Sequence, residues 1–235
     1  MKFPDTSPVI LGTVTTPAGL RALARTSLPA HAVEVRVDAL LAAGVPVATI
    51  EKALRGRKHP ALITLRIPVE GGRRAWKVKE RRELFLRLLP LAEAIDVELA
   101  TARAMTAPIE AARRAGKTVV LSAHAIKQPA PPARMAKWVA QYEAEAGPGT
   151  ILKVAVRMKS WRDLQQLAGL LMNHPDWAIA VMGIGPFAAQ SRSVLTALGS
   201  RLIYGYLDQP VAPGQPSAAE MSKVAAEVRT LKSAI

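Results

Sequence analysis

The feature that most constrains this chain is a rhythm of alternation. Short apolar, β-branched segments recur eight times, about 23 to 33 residues apart, with amphipathic stretches between them. They cover residues 9–15, 32–38, 61–67, 94–100, 118–124, 151–157, 177–183 and 201–207. The intervening stretches carry a 3.6-residue period. In 80–89, Leu84, Phe85, Leu88 and Leu89 fall on one side and charges on the other; in 161–172, after a capping Ser160, the apolar stripe is Leu164, Leu167, Ala168 and Leu171. A last helix is predicted over 217–232, capped by Ser217 with Glu220 three residues on. Strands alternating with helices imply an α/β fold with a parallel sheet. No Gly-x-Gly-x-x-Gly turn follows the first strand, so a dinucleotide-binding open sheet fits poorly. Eight such units in 235 residues predict a closed (β/α)8 TIM barrel, one domain over 1–235, slightly shorter than the typical ~250 residues.

Composition narrows the function. Half the residues are hydrophobic, which excludes a disordered chain. No apolar run approaches the ~18 residues a membrane span needs, and Met1-Lys2-Phe3-Pro4-Asp5 has no signal-peptide core, so a cytoplasmic protein without a membrane partner is expected. Cysteine is absent, which excludes thiol catalysis and disulfides. His31, His59 and His174 show no metal-ligand spacing, and no metal is expected. The net charge of +14 would draw small anions toward the protein. The basic residues, among them Arg73, Arg74, Lys77, Lys79, Arg81 and Arg82, are scattered without interleaved aromatics. Most of them read as solvated faces, and no specific nucleic-acid partner is expected.

Polar residues interrupt strands that should be apolar. Lys153 sits in Ile151-Leu152-Lys153-Val154-Ala155-Val156-Arg157 and shares a face with Ile151, Ala155 and Arg157. A strand lysine either reaches solvent or is desolvated, and in the second case it can serve as an amine nucleophile toward a ketone. Glu34, Arg36 and Asp38 share one parity of the second segment, as an ion-pair ladder or a polar interior would. Arg66 ends the third and is followed by Glu70-Gly71-Gly72, a pair of glycines that permits close backbone approach. Asp96 and Glu98 share a face of the fourth, and His124 ends the fifth. Met182 through Pro186 with Ser191-Arg192 follow the seventh, and Ala212-Pro213-Gly214-Gln215, a turn suited to a mobile lid, follows the eighth. Carboxylate, histidine and lysine at successive strand ends are the components of imine chemistry.

These residues, in this order over nearly the whole chain, resemble the type I 3-dehydroquinate dehydratases of the shikimate pathway of aromatic amino-acid biosynthesis. The resemblance implies a (β/α)8 barrel, commonly a homodimer, that dehydrates the small anion 3-dehydroquinate to 3-dehydroshikimate without metal or organic cofactor. It implies Lys153 as the Schiff-base lysine, His124 as the acid–base group and Glu70 as the residue orienting it. Glu34, Arg36, Arg66, Arg192, Gln215, Tyr204 and Met182 match substrate-binding positions, with Arg192 as the partner of the substrate carboxylate. The sequence departs from the family at Val211, where a serine is usual, and at the apolar Ile67-Pro68-Val69. Another lysine-dependent barrel lyase such as an aldolase, or a weakly catalytic relative kept for binding, would share much of this pattern.

Overall fold

The computed structural model describes residues 1–4, 8–212 and 214–233. Asp5 and Pro213, both named above, lie outside the described residues. The strands are β1 (Val9–Val14), β2 (Ala32–Arg36), β3 (Ala61–Thr64), β4 (Ala94–Glu98), β5 (Thr118–Ala125), β6 (Thr150–Arg157), β7 (Ile179–Ile184) and β8 (Leu202–Tyr206). The helices are α1 (Pro17–Ala22), α2 (Val37–Ala42), α3 (Val47–Arg55), α4 (Val78–Leu88), α5 (Thr106–Arg114), α6 (Pro132–Glu145), α7 (Trp161–Asn173), α8 (Ala188–Ala197) and α9 (Ala218–Ser233). All strand pairs are parallel, in the order β7-β6-β5-β4-β3-β2-β1-β8. The eight strands and their surrounding helices make the expected (β/α)8 barrel.

The barrel closes between β7 and β8 largely through side chains. Arg201 N donates to Ile179 O at 2.7 Å. The Ser200 hydroxyl accepts from Val181 N at 3.0 Å and donates to Val181 O at 3.3 Å. Higher up the seam, Arg192 of α8 donates Nε to Tyr204 O at 3.3 Å and NH1 to Gly183 O at 3.2 Å. Backbone groups that a regular ladder would satisfy find side-chain partners instead, as buried polar groups must.

Strand alternation sorts the core into two regions. Outward positions such as Val33, Ile63, Val97 and Leu121 pack under the helices. Inward positions near the amino ends of the strands, including Leu11, Leu62, Ala94, Val120 and Ile151, form an apolar floor. Toward the carboxyl ends the interior turns polar, and Glu34, Arg36, Arg66, Asp96, Glu98, Ser122, His124 and Lys153 are all buried there.

Several expectations from the sequence need correction. The second strand ends at Arg36, and Val37 begins a short helix, so Asp38 leaves the strand alternation but stays fully buried, paired with Arg36. The seventh strand starts at Ile179, because Trp177 packs before it against Tyr142 and His174. The fourth helix begins at Val78. Arg81 is not solvated: it is only 2% exposed, donates Nε to Leu65 O and pairs with Glu98. The capping residues hold, with Ser160 facing Asp163 and Ser217 facing Glu220 in reciprocal bonds. No helix of the described residues is long and apolar enough to cross a membrane.

Where β8 meets the start of α9, Gly205 leaves no room for a side chain. A Cβ there would lie 2.5 Å from Ala218 N and 2.6 Å from its Cα, both unyielding backbone atoms. Gly205→Ala is therefore expected to lower stability by about 1–3 kcal/mol. A urea midpoint equal to that of the wild type would refute this packing.

Candidate active site

Lys153 points into the barrel from β6 and is 4% exposed. Its Nζ donates to Asp96 Oδ2 at 3.0 Å, stands 3.8 Å from Glu34 Oε1, and lies 4.0 Å from the centroid of the Tyr204 ring. The solvent-reaching alternative for this lysine is thereby excluded. Asp96 does not serve Lys153 alone. The same Oδ2 accepts from Arg66 NH2 at 2.8 Å, and Oδ1 accepts from the Ser122 hydroxyl at 2.6 Å. Burial would raise the Asp96 pKa, but Arg66 and Lys153 override it and hold the carboxyl well below the usual carboxylate range.

His124 comes from the end of β5, one strand away. Its Nδ1 lies 2.8 Å from Glu70 Oε2, and its backbone N donates to the same oxygen at 3.0 Å. This leaves Nε2 as the nitrogen available to a reactant. Burial, with Arg66 and Lys153 nearby, lowers the His124 pKa well below the usual value, so the imidazole is neutral at neutral pH. Burial pushes Glu70 up to about 7. The two are best treated as one pair that takes up a proton near neutrality. Glu70 closes a short turn after β3, and Gly72 is needed there for the chain's own sake. A Cβ on Gly72 would lie 2.1 Å from Arg66 O, so this glycine serves tight backbone packing of the turn, while Gly71 beside it lines the cavity.

The three arginines differ in how far they are committed. Arg66 is held by Asp96, by Glu98 at 3.0 Å and by the Ser122 hydroxyl at 2.7 Å, so most of its donors are taken within the protein. Arg36 is clamped by Asp38. Arg192 bonds to carbonyls, its NH1 reaching Ala188 O at 2.9 Å as well as Gly183 O. No carboxylate of the described residues pairs with it, and burial lowers its pKa to about 10. A buried guanidinium without an acid is suited to receiving an anion. Gln215 accepts from Val211 N at 2.8 Å, which ties the turn after β8 together and frees its amide N–H groups for the cavity. Tyr204 is 3% exposed, and its hydroxyl has no hydrogen-bond partner among the described residues. Met182 adds an apolar wall from β7.

Every residue named from the sequence as a site candidate lines one cavity of about 90 Å³ at the carboxyl ends of the strands, with Val211 and Ala212 beside them. A larger hollow of about 1080 Å³ lies at the opposite mouth, by Phe3, Glu93, Lys117 and Trp177. It lacks the convergent lysine, histidine and carboxylates of the smaller one, and in barrels of this type chemistry belongs at the carboxyl ends. Residue type and spacing assign no role to Asp96, Asp38, Ser122 or Arg81. The only signal for the first three is an ionisable or hydroxyl group in an otherwise apolar segment, and Arg81, within the charged run Lys79 to Glu83, gives none. Among the described residues, no group of three or more His, Asp or Glu is arranged to hold a metal ion.

The chain is similar to named proteins over most of its length. It is 32% identical over 174 residues to the 3-dehydroquinate dehydratase of Methanosarcina acetivorans, covering 70% of this chain and 71% of that protein. It is 30% identical over 162 residues to the 3-dehydroquinate dehydratase of Aquifex aeolicus, covering 68% and 70%. The crystal structure of the Aquifex aeolicus enzyme superposes with a TM-score of 0.77 at 24% identity, covering 93% of this chain and 98% of that one. The type I 3-dehydroquinate dehydratase from Clostridium difficile gives 0.81 at 21% identity, covering 97% and 93%. Residues 9–231 match the model of the type I 3-dehydroquinase family, and the chain belongs to that family of dehydratases.

Proposed function

We propose that this protein removes water from 3-dehydroquinate to give 3-dehydroshikimate through an iminium formed on Lys153, as a step of the shikimate pathway. One observation carries the reading: a desolvated lysine, bound to Asp96, shares a cavity with a neutral imidazole held by Glu70. Attack on the ketone needs Lys153 as the free amine, and the His124–Glu70 pair is the acceptor for its proton. The carbinolamine then loses water, and the resulting iminium acidifies the adjacent carbon. His124 takes the proton from that carbon, the electron pair forms the new double bond, and the hydroxyl one carbon further departs as water with that proton returned by His124. Hydrolysis of the iminium releases the enone and restores Lys153.

The remaining groups fit binding roles. Arg192, the guanidinium without an acid partner, would take the substrate carboxylate, while Glu34, Arg36, Arg66 and Gln215 would meet the hydroxyls and the carbonyl region. Met182 and the Tyr204 ring would pack against the carbocycle. Val211 brings no hydroxyl to the turn, which costs about 0.5–1.5 kcal/mol of binding relative to a side chain that donates there. A homodimer, a single domain and a cytoplasmic setting belong to the same proposal, with the family resemblance as their support.

Borohydride added with 3-dehydroquinate is expected to fix the substrate's mass on Lys153, and Lys153→Ala is expected to lose turnover by at least about a thousandfold. An adduct elsewhere, or none, would sink the mechanism, and carbon–carbon cleavage products would favour an aldolase. The pH–rate profile should fall on the acid side below about 7, where the His124–Glu70 pair is protonated and cannot accept a proton. Glu70→Gln should flatten that limb, and a wild-type rate that is level across it would contradict the assignment. Tyr204→Phe removes an unpartnered buried hydroxyl. It should leave stability equal or about 1 kcal/mol higher while raising KM severalfold, and an unchanged KM would show that the hydroxyl does not meet substrate.

A further inference from the structure

Among the buried acids of the described residues that have no part in this scheme, Asp38 bonds to the chain on both sides of the Glu70 turn. Asp38 lies in the first turn of α2, is fully buried, and does not line the substrate cavity. Its carboxylate nevertheless ties three parts of the chain together. Arg36 donates Nε to Oδ1 and NH2 to Oδ2, each at 2.8 Å, a two-pronged contact that fixes the rotation of the guanidinium. Oδ1 also accepts from Arg66 N at 3.3 Å, and Oδ2 from Arg73 N at 3.0 Å. Arg36 NH2 completes the ring by donating to Gly71 O at 3.2 Å. The residues so held flank Glu70 on both sides in sequence. Burial would raise the Asp38 pKa, but the bonds and charge of Arg36 and the Arg73 N–H keep it below the usual carboxylate range, so the acceptor stays ionised.

A buried ion pair adds little net stability over apolar residues of the same volume, whereas it does define geometry. Resting on the reaction proposed above, we infer that Asp38 is a positioning residue that acts at two points. Through Arg36 it aims a guanidinium at the substrate, and through the backbone of Arg66 and Arg73 it holds the turn that brings Glu70 to His124. One carboxylate thereby couples substrate binding to the acid–base pair.

The test compares wild type, Asp38→Asn, Arg36→Met and the double variant, with circular dichroism to show that each is folded. Asp38→Asn keeps the size and one acceptor oxygen but loses the charge. It is expected to raise KM about tenfold and lower kcat severalfold. In the Arg36→Met background it should change KM by less than about twofold while still lowering kcat, because only the turn remains for it to affect. KM effects that multiply in the double variant would overturn the inference, as would an Asp38→Asn protein with wild-type kcat and KM and only a lower Tm. Wild-type turnover of 3-dehydroquinate separately tests the functional reading. Hydrogen exchange tests the anchoring without any substrate: the Arg73 amide should lose protection in Asp38→Asn, and retained protection would overturn that half.

Discussion

The Asp96 carboxylate, shared between Lys153 and Arg66, is the interaction on which the rest of the interior depends. Two cations in a desolvated barrel interior would repel one another and favour solvent. A single carboxylate between them, with Ser122 on its second oxygen, makes their burial tolerable. The arrangement then spreads outward. Arg66 reaches Glu98, and Glu98 holds Arg81 of α4. Arg81 in turn donates to Leu65 O, at the end of the third strand. Lys153 is thus braced by a network that also pins a helix and a strand end.

This network and the turn after β3 together determine the chemistry available. His124 is kept neutral by burial and by the positive charges of Arg66 and Lys153, the same groups that Asp96 brings together. Glu70, raised by burial to about 7, supplies the ring with an orienting oxygen and a place for a proton. The groups proposed to face substrate stand at the edge of this charged centre. Arg192 differs from the others because it also stitches β7 to β8, so the closure of the barrel and the proposed recognition of a carboxylate rest on one side chain.

Much of this is legible in the order of residues alone. The alternating segments imply the barrel because a buried parallel strand must be apolar and its crossover helix amphipathic. Lys153, His124 and Glu34 stand out because they break that rule. Asp38 continues the parity of Glu34 and Arg36 and so reads as a strand residue, yet the backbone turns helical at Val37. Parity carries no information on where a strand stops. Arg81 reads as solvated because a helix-borne arginine usually is, and its burial depends on Glu98, 17 positions further on.

The sequence by itself determined the period of the fold and the end of the barrel that carries polar groups, because both follow from residue type and spacing along a strand, while the members of the proposed site follow from the family resemblance. Only the tertiary structure decided which charges meet. Whether Lys153 reaches water or Asp96, whether Arg192 finds an acid, and whether Asp38 belongs to a strand or clamps the Glu70 turn all depend on contacts between residues far apart in the chain. Electrostatic energies in a desolvated interior change over a few ångströms, a distance that spacing along a single strand does not specify.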